Sequence, residues 1–254
     1  MKSSSPPSPL SHASGRGAGG EGDRSRPVVH VAVGVLVRPD RAVLLADRPA
    51  GKPYAGYWEF PGGKIEDGEL VEHALARELA EELHITIGES VPWVVFDFDY
   101  PHAYVRLQFR RVYDWHGKPE PVEGQRLTYY RPGDPAPDPL LPAARPVMRW
   151  LRLPDRLIWA PERAAQVKLQ PSDHWIDGMR FAASAVRDAD ELAQAAALGA
   201  DFVVVPFLPE PQLADLSRDT PIPVYATDPG DADALKRLQR LGVHGIAEVA
   251  PNHE

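Results

Sequence analysis

The chain has no cysteine among its 254 residues, which excludes disulfides, thiol catalysis and thiolate metal sites. No run approaches the roughly 18 apolar residues that a bilayer-spanning helix needs. The N-terminus also lacks the apolar core of a secretory signal, so a cytoplasmic location is the expectation. Positive charge is in short supply: 28 Lys and Arg stand against 36 Asp and Glu, a net charge of −8. Nucleic-acid polymers are held by basic surfaces, so this balance argues against such a partner. It does not argue against a single nucleotide, because a bound divalent ion reverses the local field. The apolar content is ordinary, with 43% hydrophobic residues and a mean hydropathy of −0.33. That is enough for one large domain or two small ones.

Residues 1–27 are rich in Ser, Pro and Gly and read as a disordered leader or an overextended start site. Residues 28–37 read as a buried strand, with residues 42–46 as its hairpin partner across Pro39-Asp40. Residues 58–60 lead into a glycine loop, and residues 70–83 have helical periodicity. Residues 93–100 and 104–113 alternate as an antiparallel pair around Pro101-His102. A short strand over 127–130, a proline-rich loop over 132–142 and a closing helix over 146–152 complete an α+β sandwich over residues 28–153. Beyond Pro154 the texture changes. Apolar strands at 180–186, 202–207, 224–227 and 245–249 alternate with helical stretches at 188–198, 212–217 and 231–241. Residues 154–254 therefore read as parallel βα units, with residues 156–159 as a candidate fifth strand.

The chemistry concentrates between Gly63 and Ile85. Gly63 is followed six positions later by Glu69, and then comes Arg77-Glu78-Leu79-Ala80-Glu81-Glu82. A helix there puts Glu78, Glu81 and Glu82 on one face at i, i+3 and i+4, where like charges repel. An acidic helix face is ordinarily just solvated. Here Leu75, Leu79 and Leu83 give the opposite face something to bury, and Gly62-Gly63 can bring backbone carbonyls close. The pattern calls for a cation, and oxygen ligands favour a hard divalent one. Elsewhere the signals are bland. His30 reads as a core or edge histidine, and His102 and His116 lie in turns without paired ligand spacing. Trp58, Trp93, Trp115 and Tyr100 could stack a base, although aromatics in strands ordinarily serve the core.

On Gly63, Glu69, Arg77, Glu78, Glu81 and Glu82 the chain resembles the Nudix hydrolase signature, departing at His84, where that family usually has glycine. The resemblance implies an α/β/α sandwich and hydrolysis of a nucleoside triphosphate or another nucleoside diphosphate-linked compound, with Mg2+, or alternatively Mn2+, as cofactor. It implies Glu78 and Glu82 as first-choice metal ligands, with Glu81 and the Gly63 carbonyl joining them. Arg77 would orient Glu78, and Glu69 would steady the loop and helix. The run Trp58-Glu59-Phe60-Pro61-Gly62-Gly63-Lys64 narrows the likeness to the MutT type, which sanitises the nucleotide pool by hydrolysing 8-oxo-dGTP. On that likeness Arg48 and Lys64 approach substrate, and Glu123 reaches the metal or acts as base, the choice of base between Glu78 and Glu123 staying open. Ala144 falls where the type has a base-contacting asparagine. Alanine offers no hydrogen bond, so an undamaged or different nucleotide remains the alternative substrate. Residues 154–254 are similar to the later part of a thiamin phosphate synthase (TenI-like) barrel, a partial (β/α)8 unit. The expectation is that this segment makes no thiamin phosphate. It would instead cover apolar edges against the Nudix-like half or a second copy in a homodimer.

Overall fold

In the computed structural model, which describes residues 26–159, 172–206, 208–227, 230–231 and 233–249, one strand layers the N-terminal half. β1 (Val28–Leu36) turns Ala32 and Leu36 to one side and Val33 and Val35 to the other, as the two-residue period of a strand requires. The first pair joins a cluster with Ala74, Leu75, Leu79 and Leu83 of α1 (Val71–Leu83). The second belongs to the larger cluster that includes Val147, Met148 and Trp150 of α2 (Ala144–Trp150). Helices therefore cover both sides of the strands.

β1 lies between β4 (Gly62–Lys64), antiparallel to it, and β7 (Ala103–Val112), parallel to it; β6 (Ser90–Tyr100) completes the sheet. The β6–β7 hairpin turns at Pro101-His102 as expected, with an irregularity between Pro92 and Val94, since proline has no amide to give the ladder. The hairpin expected between residues 28–37 and 42–46 is reduced to one bridge, Val37 with Val43. β1 already has a neighbour on each edge, so β2 (Val43–Asp47) pairs instead with β3 (Trp58–Glu59) and β9 (Leu127–Tyr130). β5 (Thr86–Ile87) and β8 (Trp115–His116) form a small separate pair. His30, expected in the core or at an edge, is exposed on a strand with neighbours on both sides. The leader expected over residues 1–27 lies almost wholly outside the described residues.

The C-terminal half is a six-stranded sheet in the order β10-β15-β14-β13-β12-β11. Its strands are β10 (Arg156–Trp159), β11 (Ser172–Ile176), β12 (Met179–Ala185), β13 (Phe202–Val205), β14 (Val224–Thr227) and β15 (Gly245–Val249). The helices α3 (Ala189–Ala197), α4 (Glu210–Ser217) and α5 (Ala234–Arg240) connect the parallel strands. β11 was not anticipated, because Ser172-Asp173-His174-Trp175-Ile176 is no apolar run. Its signal was Asp177-Gly178, a two-residue turn with both φ values positive (46° and 74°), which closes an antiparallel hairpin onto β12. The likeness to a (β/α)8 barrel thus stops at the parallel βα order: β10 and β11 end the sheet without pairing with each other. No helix among the described residues is long and apolar enough to cross a membrane.

The C-terminal half covers the end strands of the first sheet. Trp93 Nε1 on β6 donates to His244 Nδ1 at 3.0 Å. The Val95 amide donates to Thr220 O at 2.7 Å. Arg111 on β7 donates to the carbonyls of Val243 and His244 at 2.8 and 3.2 Å. Arg149 on α2 pairs with Asp201 at 2.6 Å. One cluster of buried apolar residues runs from Val33 through to Ala247. The covering partner of this face is therefore the same chain.

His244 has a defined tautomer here. Its Nδ1 accepts from Trp93, so Nε2 carries the proton and faces Leu153 O at 3.3 Å. Burial holds its pKa well below the ordinary value; positive charge on Arg111 and Arg41 adds to this, and the facing Trp93 and Tyr225 are neutral. The unfolded chain binds this proton below about pH 6.5 and the folded chain does not, so acidification favours unfolding. In His244→Gln an uncharged amide that does not titrate replaces the imidazole, while every other ionisable group is unchanged. The expected outcome is that the parent loses melting temperature relative to this variant as pH falls from 8 to 5. A constant difference over that range would contradict the assignment.

Candidate active site

The site begins where β4 passes α1. A Cβ on Gly63 would lie 2.2 Å from the Glu78 carboxyl group, and one on Gly62 would lie 2.2 Å from Ala32 O. At Gly62, with φ 142°, the clash is with the β1 backbone and only glycine permits the approach of β4 to β1; at Gly63 a Cβ would displace the Glu78 carboxylate. At the other end of α1, His84 adopts the left-handed conformation (φ 54°, ψ 35°), and its amide donates to Ala80 O at 3.1 Å. Histidine thus fills the helix-capping position that glycine usually takes.

Arg77 ties the loop to the helix. Its Nε and Nη2 donate to the two carboxylate oxygens of Glu69 at 3.0 and 2.9 Å, and Nη2 also reaches Lys64 O at 2.9 Å. Nη1 donates to Glu78 at 2.8 Å and lies 3.5 Å from Glu81. Glu69 in turn accepts from the Glu66 amide at 3.0 Å. Hydrogen bonds from Arg77, then from that amide, hold the Glu69 carboxyl down at about 2.

The C-terminal turn of α1 leaves carbonyls without intrahelical partners, and a loop supplies donors. Glu120 N donates to Leu83 O at 3.0 Å, while Val122 N and Gln125 Nε2 donate to Glu82 O at 3.2 and 3.0 Å. Gln125 Oε1 accepts from the Glu123 amide at 2.7 Å. This docking carries Glu123 to the acidic face. Burial pushes the Glu82 carboxyl up to about 7, with repulsion from Glu123, Glu78 and Glu59 adding to it and Lys52 opposing it.

These groups line one cavity of about 760 Å3. Its charged and polar lining comes from Arg48, Lys52, Glu59, Gly63, Lys64, Glu78, Glu81, Glu82 and Glu123. Its walls are also apolar and aromatic, with Val31, Phe60, Tyr100, Phe109, Leu141 and Ala144 among them. Every candidate residue except Arg77, Glu69 and His84 lines it: Arg77 reaches the site through Glu78, Glu69 through Arg77, and His84 caps the helix behind it. The acidic ligand set is not preassembled, however. Among the described residues no three acidic or histidine side chains converge as an ion-binding cluster. Glu78 and Glu81 lean to Arg77, Glu123 pairs with Lys52 at 2.6 Å, and Arg48 holds Glu59 at 2.8 Å. Like charges part and take the nearest cation when nothing lies between them. The donor set nevertheless suits a hard divalent ion: the candidate side chains are all carboxylates, they crowd the half-buried Glu82, and a bare glycine stands beside them. Lys52, Glu59 and Gln125 had no sequence periodicity to mark them. Of the aromatics considered for stacking, Tyr100 reaches the cavity, whereas Trp93 is buried against His244.

The NUDIX domain family model matches residues 28–151. An 8-oxo-dGTP diphosphatase of Proteus vulgaris is 39% identical over 87 residues, covering 34% of this chain and 78% of that one. A CTP pyrophosphohydrolase of Escherichia coli (strain K12) is 38% identical over 118 residues, covering 46% of this chain and 86% of that one. Among solved structures, a MutT NUDIX hydrolase from Burkholderia pseudomallei aligns over 49% of this chain and 98% of its own, at 29% identity and a TM-score of 0.45.

Proposed function

The chain belongs to the Nudix family, and from that premise we propose that it hydrolyses nucleoside triphosphates to monophosphate and pyrophosphate, with oxidised purine nucleotides such as 8-oxo-dGTP as substrates. The observation that carries this reading is the mixed lining of one cavity: its charged groups suit a polyanion and its counterion, and its apolar and aromatic walls suit a nucleobase. Gly63 O, Glu78, Glu81, Glu82 and Glu123 would hold Mg2+ or Mn2+. When bound, such an ion offsets charge on the pyrophosphate leaving group and acidifies water. Arg77 aims Glu78 and steadies the loop through Glu69. Arg48 and Lys64 neutralise phosphate oxygens, which requires Arg48 to exchange Glu59 for substrate. The proton of the attacking water falls to Glu78 or Glu123, the carboxylates of helix and loop. The C-terminal half covers the β6–β7 face, and no thiamin phosphate chemistry is assigned to it.

A second reading, an undamaged nucleotide as substrate, is favoured by one observation: Ala144 lines the cavity and has no amide to read a purine edge. Pyrophosphate release from a panel of nucleoside triphosphates, 8-oxo-dGTP included, separates the two. The parent should prefer 8-oxo-dGTP over dGTP modestly. Ala144→Asn should raise that preference by about tenfold, the effect of one recovered hydrogen bond of roughly 1–1.5 kcal/mol. Unchanged relative specificity would place residue 144 away from the base.

A further inference from the structure

With alanine at position 144, the cavity must read a base by other means. Apart from its charged residues, the lining side chains able to hydrogen-bond are Tyr54, Tyr100 and His102. Tyr100 stands apart from the other two. It ends β6 and is only 6% exposed, and its hydroxyl is closed off from solvent with no hydrogen-bond partner. The ring is fixed on three sides, with Phe98, His102 and Tyr54 at 4.5, 5.4 and 5.5 Å between centroids. A buried polar group left unpaired costs about 1–3 kcal/mol, so its presence in a binding cavity calls for a use.

We propose that the Tyr100 hydroxyl donates a hydrogen bond to an acceptor on the nucleobase, a carbonyl oxygen or an unprotonated ring nitrogen. Tyr100 is then the specificity-determining side chain of the cavity, in place of the missing amide at Ala144. This inference rests on the nucleotide reading above. Two features make the hydroxyl a donor. Burial raises its pKa and keeps the phenol protonated. The Ala143 amide lies near enough to favour charge on the oxygen, though outside hydrogen-bond geometry, so the proton is what the group has left to offer. The donor has already lost its water, so pairing with a base involves no further desolvation of it. A base presenting N–H at that point sets donor against donor and is rejected. Tyr54 packs edge-on against Tyr100 from the loop between β2 and β3, so a base that reaches the enclosed hydroxyl has to displace a neighbour of this kind.

Tyr100→Phe tests this in the full chain. Deleting an unpartnered hydroxyl should leave the melting temperature unchanged or higher. On the preferred nucleoside triphosphate kcat/KM should fall about tenfold, the usual effect of one lost hydrogen bond. Triphosphates whose base lacks an acceptor there should be affected less, so the spread of kcat/KM across the panel narrows. A lowered melting temperature with equal loss on every nucleotide would mark a purely structural tyrosine and overturn the proposal. An unchanged spread would overturn it as well, with the nucleotide reading intact. A parent enzyme that hydrolyses no nucleoside triphosphate would remove both.

Discussion

Glu82→Gln should lower turnover by more than roughly a hundredfold, because a neutral amide is a poor ligand for a hard cation and first-sphere losses exceed those of outer partners. The same substitution should raise the melting temperature of the metal-free protein. Glu82 is half-buried and repelled by Glu123, Glu78 and Glu59, and this desolvation and repulsion push its carboxyl up to about 7. Near neutral pH the fold must therefore either hold that charge against its neighbours or take up a proton. Glutamine removes the repulsion and keeps the shape. Added Mg2+ should narrow the stability gap by stabilising the parent and not the variant, since a ligand stabilises only the state that binds it. Turnover within a factor of two of the parent would sink the assignment of Glu82. Loss of turnover with a lowered melting temperature would point to damage to α1 instead.

A chain ended after Pro154 should be insoluble, or should melt at least about 15 °C lower than the full chain. The cut removes His244 from Trp93, Thr220 from the Val95 amide, and two carbonyls from Arg111. Water can replace those polar partners. It cannot replace the apolar cover of Trp93, which is 1% exposed in the whole chain, nor of Trp150, Leu151 and Leu153 in the same cluster. A full Leu or Trp side chain returned to water forfeits about 2–3 kcal/mol, and several of them exceed the margin of a small domain. An apolar patch of that kind also promotes association. Thermal melting and size-exclusion chromatography of the two proteins decide the matter. A soluble, monomeric shortened chain with an unchanged melting temperature would show that the C-terminal half is not needed as cover.

The acidic helix and its loop were legible in the sequence because their physics is local. The spacing of Leu75, Leu79 and Leu83 sets the buried face, and the spacing of Glu78, Glu81 and Glu82 follows on the other side. The need for glycine at position 62 is likewise a matter of one missing Cβ. The β6–β7 hairpin was readable from its alternation and turn. The Asp177-Gly178 turn was equally readable and would have disclosed β11.

What only the tertiary structure decided depends on partners distant in sequence. Residues 42–46 carry a good strand pattern, but that pattern is silent on which edge is free, and β4 and β7 had already filled both edges of β1. Glu123 is one glutamate in a polar loop until Gln125 and the Glu82 carbonyl dock that loop on the end of α1. Arg77, Lys52 and Arg48 keep the carboxylates apart because a charge takes whichever counter-charge folding brings nearest. Trp93 and Tyr100 stand seven positions apart on one strand, yet one packs against His244, 151 residues away, and the other lines the cavity. Strand periodicity assigns a side chain to a face; what that face meets is decided by the packing of the whole chain.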